Sequence, residues 1–180
     1  MSTPPDGFFP LYLLTPRLVL RNWTLDDLPA AHEIYSHPEV MRWSPDGPSP
    51  SLDATRAILE GHLASYAQHG IGKWAVALRA SGEIIGSCGV AMEPVHGLVP
   101  EPELGYRLLP QYQGQGYATE AAKVALEHCL ELIGLPRILG IVEPANAASV
   151  RVLLKLGMTL QGQTFWRGKT VEIYAIDKAT

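Results

Sequence analysis

Gln113, Gly114, Gln115 and Gly116 lie between an apolar segment at residues 103–109 and an alanine-rich segment that begins at Tyr117. The first segment has the length and residue types of a strand. The second places Ala118, Ala121, Ala122, Ala125, Cys129 and Ile133 on one helical face, with Glu120, Lys123, Glu127 and Glu131 on the other. Strand, glycine-rich loop and helix together make an anion site. The first-turn N–H groups of the helix have no partner within it, and its dipole adds partial positive charge at the same end. Glycines at 114 and 116 let the main chain approach an anion that a side chain would hold off. The N–H groups of Gln113, Gly114, Gln115, Gly116, Tyr117 and Ala118 are the expected donors.

The loop is not of either common nucleotide type. It lacks the Lys that follows the glycines of a P-loop, and Thr119 stands where a dinucleotide fold carries its third small residue. A mononucleotide or dinucleotide enzyme is the weakest of the competing readings.

The remaining chain reads as one mixed α/β domain over residues 1–180, with an irregular segment at 1–13. Strands are expected at 15–21, 74–78, 84–90, 103–109, 137–142, 160–166 and 170–176. Helices are expected at 24–36, from Ser49 to Gly70, at 117–133 and at 146–156. Ser81-Gly82 reads as a hairpin turn. Asn146 caps the last helix, and Gly157 stops it. Small alanines on the buried side of the third helix imply close packing on the sheet.

The net charge of -4 argues against a general nucleic-acid binder. No apolar run approaches the ~18 residues of a membrane span, and the short apolar stretch 8–14 follows Asp6 rather than Lys or Arg. The chain reads as cytoplasmic. Cys88 and Cys129 are too far apart in sequence for a redox motif and read as reduced core residues. The histidines have no metal-ligand spacing, so no metal is expected.

Gln111, Gly114 and Gly116, directly after the strand carrying Gly105-Tyr106, resemble the pyrophosphate motif of the GNAT acetyltransferases. Residues 15–21, Asp26-Asp27-Leu28, residues 37–42, residues 117–121, residues 146–149 and residues 155–158 are similar to the branch that contains the ribosomal-protein N-terminal acetyltransferases. The resemblance spans about residues 14–176. It implies a mostly antiparallel central sheet, splayed between its fourth and fifth strands to admit a cofactor and flanked by about four helices. It also implies acetyl-CoA as cosubstrate and an amine acceptor, either a protein N-terminus or a small molecule. A monomer and a homodimer are both compatible with it.

In such a site the splayed strand offers main-chain groups to the pantetheine arm, here near Leu108 and Leu109, and Asn146 contacts its amides. Glu103 is the leading candidate for the base that removes the amine proton, with His96 and Glu101 behind it. The tyrosine that many members use as acid falls on Leu153. Ser149 is similar to the serine that the branch offers in that role, with Tyr174 as a more distant substitute. Arg151 and Lys155 could meet the nucleotide or form a solvated face. Trp43 and Trp166 could line the acceptor groove or belong to the core. A non-catalytic acetyl-CoA-binding module is the second reading, motivated by Leu153.

Overall fold

The computed structural model describes residues 11–94 and 100–179. Eight strands form a single sheet: β1 (Tyr12–Leu14), β2 (Leu18–Arg21), β3 (Lys73–Leu78), β4 (Ile84–Glu93), β5 (Glu101–Leu108), β6 (Arg137–Val142), β7 (Thr159–Trp166) and β8 (Lys169–Asp177). Their order across the sheet is β1-β2-β3-β4-β5-β6-β8-β7. The lead-in segment is therefore not irregular up to residue 13, because Leu13 pairs with Leu20 and extends the sheet. That extra strand makes the expected fourth and fifth strands β5 and β6.

Every neighbouring pair is antiparallel except β5 and β6, which run parallel and come into register at Glu103 and Leu139. A parallel step requires a crossover, and α4 (Tyr117–Glu127) supplies it. Beyond Glu103 the two strands diverge, which opens the splay that the sequence led us to expect.

The other helices are α1 (Leu28–Tyr35), α2 (Pro38–Met41), α3 (Leu52–His69) and α5 (Ala147–Lys155). The start of α3 differs from expectation. Ser51, not Ser49, caps it by accepting from the Ala54 N–H, while Ser49 is buried and shares a 2.8 Å hydrogen bond with the Thr55 hydroxyl. Helix α4 also departs from its expected face. After Glu127 the backbone widens into a π turn over His128–Leu132, in which the Ile133 N–H bonds to the His128 carbonyl. The wider turn rotates the following residues out of phase, so Ala121, Ala122, Ala125 and Cys129 are fully buried while Ile133 is 41% exposed.

Strand alternation divides the centre of the sheet into two faces. Ser87, Gly89 and Ala91 of β4 stand opposite Arg107, Gly105 and Glu103 of β5 on one face; Cys88 and Val90 stand opposite Tyr106 and Leu104 on the other. Helices α1 and α3 cover the first face, where the Tyr35 hydroxyl donates to Ser87 Oγ at 3.2 Å. Helices α4 and α5 cover the second, where the Tyr106 hydroxyl donates to the Ser149 carbonyl at 3.0 Å. The core is continuous across both faces, with Trp23, Tyr35 and Trp74 essentially inaccessible. Cys88 and Cys129 are buried thiols, and burial pushes the Cys129 thiol up to about 12.

Candidate active site

The loop after β5 begins with a 3-10 turn, Pro110–Tyr112, and then passes through Gly114 at φ 72° and Gly116 at φ 83°. Both lie in the left-handed region that side chains disfavour. A Cβ on Gly114 would have no protein atom within 4 Å, so that flank of the loop is open.

The amides divide into used and free. The Gln113 N–H donates to the Pro110 carbonyl at 3.1 Å, so Gln113 is not an available main-chain donor. The first helical bond runs from the Glu120 N–H to the Gly116 carbonyl. Tyr117, Ala118 and Thr119 thus lack helical acceptors, as first-turn residues must. Thr119, not among the donors expected from the sequence, lines the same cleft as Gly114, Gly116, Tyr117 and Ala118. Gln115 turns away from the cleft; its side chain bonds to the Gln111 carbonyl, and its own carbonyl accepts from Arg17.

Long-range bonds hold this corner in place. Arg17 forks onto Glu120 at 2.6 and 2.7 Å, its backbone N–H and the Thr15 hydroxyl bond to the other carboxylate oxygen, and its guanidinium lies over the Tyr117 ring. Glu120 is therefore not a solvated acid, as its helical position suggested. Burial alone would raise its carboxyl, yet the hydrogen bonds from Thr15 and Arg17 hold it below the ordinary value. We expect Glu120→Ala to cost about 1–2 kcal/mol in unfolding free energy. Because the folded carboxyl is depressed, that stability is present above the carboxylate range and fades as pH falls through it. Chemical denaturation at neutral pH and at pH near 4 measures the difference, and equal stability of the two proteins at neutral pH would contradict the clamp.

The splayed strand supplies the second part of the site. The Leu109 N–H donates to the Ile85 carbonyl at 2.9 Å and so belongs to the ladder with β4. Alternation then turns the main chain of Leu108 and Tyr106 the other way, toward the cleft. Of the two expected residues, Leu108 lines the cleft and Leu109 is buried behind it. The Gln113 side chain donates to the Leu108 carbonyl at 2.9 Å and ties the loop to the strand end.

Across the cleft, Asn146 caps α5 by accepting from the Ser149 N–H at 3.3 Å, which leaves its amide protons for another partner. Ser149 lines the cleft, and its side chain lies beside the Tyr106 hydroxyl. Leu153 is buried, with its side chain packed against Gly140.

Glu103 sits on the opposite face of the sheet, 8% exposed, with Lys73 Nζ 3.2 Å away. Gly105 makes that contact possible, since a Cβ there would lie 2.6 Å from Lys73 Nζ. Burial raises the Glu103 carboxyl; Lys73 works against that rise, and Arg107 adds to its effect. Glu103 therefore lies in the cleft as a carboxylate with raised proton affinity, next to a cation that limits the rise.

Other expected residues are not brought here. Tyr174 is buried on β8 and donates to Glu172 at 3.1 Å, away from the cleft. Glu101 stands opposite Glu93 at the far end of β5 and does not line the cleft. His96 lies outside the described residues. Trp43 and Trp166 both line the cleft, as do Arg151 and Lys155, which have no ion-pair partner among the described residues. No helix among the described residues is long and apolar enough to cross a membrane.

The cleft has a volume of about 610 Å³. It brings free amides, a splayed strand, a hydroxyl and a buried carboxylate to one space, which suits a long anionic ligand meeting a second molecule.

Comparison with known proteins agrees with this geometry. A family model described as acetyltransferase (GNAT) domain matches residues 17–159. An uncharacterized N-acetyltransferase, YnaD, of Bacillus subtilis is 32% identical over 152 residues, covering 84% of this chain and 85% of its own. The crystal structure of an acetyltransferase from Agrobacterium tumefaciens superposes with a TM-score of 0.80 at 30% identity, covering 97% of this chain and 99% of its own. A ribosomal L7/L12 alpha-N-protein acetyltransferase in complex with coenzyme A shares the fold, with a TM-score of 0.78 at 22% identity over 92% of this chain and 96% of its own.

Proposed function

The chain belongs to the acetyltransferase (GNAT) family, an N-acetyltransferase family that uses acetyl-CoA, and from that premise we propose that it acetylates a primary amine by direct attack within a ternary complex. The observation that carries this reading is the convergence in one cleft of the amides of Gly114, Gly116, Tyr117, Ala118 and Thr119 and the Glu103 carboxylate. Bound acetyl-CoA would supply the thioester carbon that the amine attacks.

The chain's own groups divide the work. Main-chain N–H groups of Gly114, Gly116, Tyr117, Ala118 and Thr119 hold the diphosphate, with the dipole of α4 behind them. The Leu108 N–H faces the cleft and is the donor for the acyl oxygen, while Asn146 takes the pantetheine amides. Glu103 accepts the amine proton, directly or through water. An amine with pKa ~10 is mostly protonated at neutral pH, so a carboxylate of raised proton affinity matches the task better than an ordinary one. Ser149 is the candidate to hydrogen-bond the departing sulfur, with the acceptor entering from the α1–α3 side.

Ser149→Ala should lower kcat by about tenfold while leaving the KM for acetyl-CoA within a few-fold. Steady-state thiol release checks this, and an unchanged kcat removes Ser149 from the role. The function itself is tested by incubating the protein and acetyl-CoA with a broad panel of amines, including peptides with free N-termini. Mass spectrometry should find an added acetyl group on at least one primary amine. Saturable cofactor binding with no product on any of them would favour a non-catalytic module instead.

A further inference from the structure

On the α1–α3 face the sheet borders a chamber of about 600 Å³, which meets the cofactor cleft along Lys73, Glu93 and Arg107. Its charges are nearly balanced. Asp46 and Glu93 both pair with Arg167, at 3.1 and 3.3 Å, and Lys73 pairs with Glu103. Among the described residues, the two carboxylates that line the chamber therefore share one cation, Arg167. Arg107 stands apart. Among the described residues its guanidinium has no carboxylate in direct contact and lies over the Tyr35 ring, 5.2 Å from the ring centre. The imidazole nearby adds no second positive charge; His62 is hydrogen-bonded to the Tyr35 hydroxyl at 2.9 Å. Burial, with the charges of Lys73 and Arg107, pushes its pKa down to about 3.

A half-buried guanidinium with no carboxylate in direct contact has its donors unused, and its planar fork matches a carboxylate or phosphonate. Arg107 shares a face of β5 with Glu103 and is close enough for its charge to stabilise that carboxylate. We infer that Arg107 is an anion subsite of the acceptor chamber, so the acceptor is a small amine carrying a carboxylate or phosphonate a few bonds from its nitrogen. The anion docks on Arg107, and the amine end turns toward Glu103. Among the described residues, both carboxylates of this chamber that a polycation could approach are already engaged by Arg167. The inference rests on the transferase reading for the amine, and on the unused donors of Arg107 for the anion.

Two measurements keep these apart. The first compares kcat/KM for matched acceptors: amino acids against their amides, 2-aminoethylphosphonic acid against ethylamine, and spermidine. The anionic member should be preferred by about tenfold or more. Arg107→Gln should erase that ratio without changing the KM for acetyl-CoA, and Arg107→Lys should restore part of it. Preference for the amides or spermidine, a ratio that survives Arg107→Gln, or an effect confined to acetyl-CoA would each overturn the subsite.

The second is calorimetry of N-acetyl amino acids binding to the protein loaded with coenzyme A, which needs no turnover. Binding should weaken about tenfold in Arg107→Gln, and equal affinity overturns the subsite. Anion binding that depends on Arg107, with no amine acetylated, would sink the transferase reading and leave the subsite standing.

Discussion

Gly114→Val is expected to weaken acetyl-CoA binding by a hundredfold or more, on the order of 3 kcal/mol from two sources. The backbone at 114 has φ 72°, where a β-branched residue is strained. The new side chain would also project into the open flank of the loop, where we place the diphosphate, and lift it from amides whose charge-assisted bonds are worth about 1.5–3 kcal/mol each. Gly82→Val is the natural control. Gly82 has a similar φ of 75° in the β3–β4 hairpin, with open space around it, so it should suffer the strain without losing cofactor. Calorimetric titration of both variants with acetyl-CoA separates the effects. Equal affinities for the two would remove the loop from the binding account.

The second large effect falls on turnover. Glu103→Gln keeps the shape of the side chain but cannot take a proton, and general-base catalysis contributes about 10²–10⁴ in rate. We expect kcat to fall by about a hundredfold or more with the KM for acetyl-CoA little changed. The pH profile adds a signature that a structural role would not give. The wild-type rate should rise with pH as Glu103 loses its proton. Because burial raises that carboxyl, the rise should lie above the ordinary carboxylate range of about 4.3. Glu103→Gln should lack this limb. Lys73→Met, by removing the cation that counters the rise, should move the limb to higher pH. A limb that stays in place in both variants would belong to another group.

Local features were legible and distant ones were not. The Ser81-Gly82 hairpin, the Asn146 cap, the glycine loop and the alanine face of α4 depend on residues close together in the chain. Each was readable from spacing and side-chain chemistry. The resemblance extended this to the splay between β5 and β6, which no local pattern encodes. Two errors have local causes. Ser49 and Ser51 are both plausible caps, and only the buried Thr55 hydroxyl, which engages Ser49, decides between them. The π turn after Glu127 leaves no mark on an alanine-rich pattern, so Ile133 was given to the wrong face.

The residues that spacing did not place depend on distant parts of the chain. Arg17 and Glu120 are 103 positions apart, and helical spacing alone assigns Glu120 to solvent. Lys73 has no motif; its partner Glu103 lies two strands away across β4, and only the bare Gly105 hints that something must pass over β5. Leu109 was misjudged because which of two adjacent strand residues faces the open edge depends on pairing register. That register is set by β4 rather than by β5 itself.

Backbone amide NMR of the protein titrated with coenzyme A tests the core of this account most directly. The largest shifts should fall on Gly114, Gly116, Tyr117, Ala118 and Thr119, with Leu108 also moving, while Gln113 and Leu109, whose N–H groups are already bonded, change less. Saturable binding that leaves residues 114–119 unshifted and perturbs another part of the sheet would contradict it.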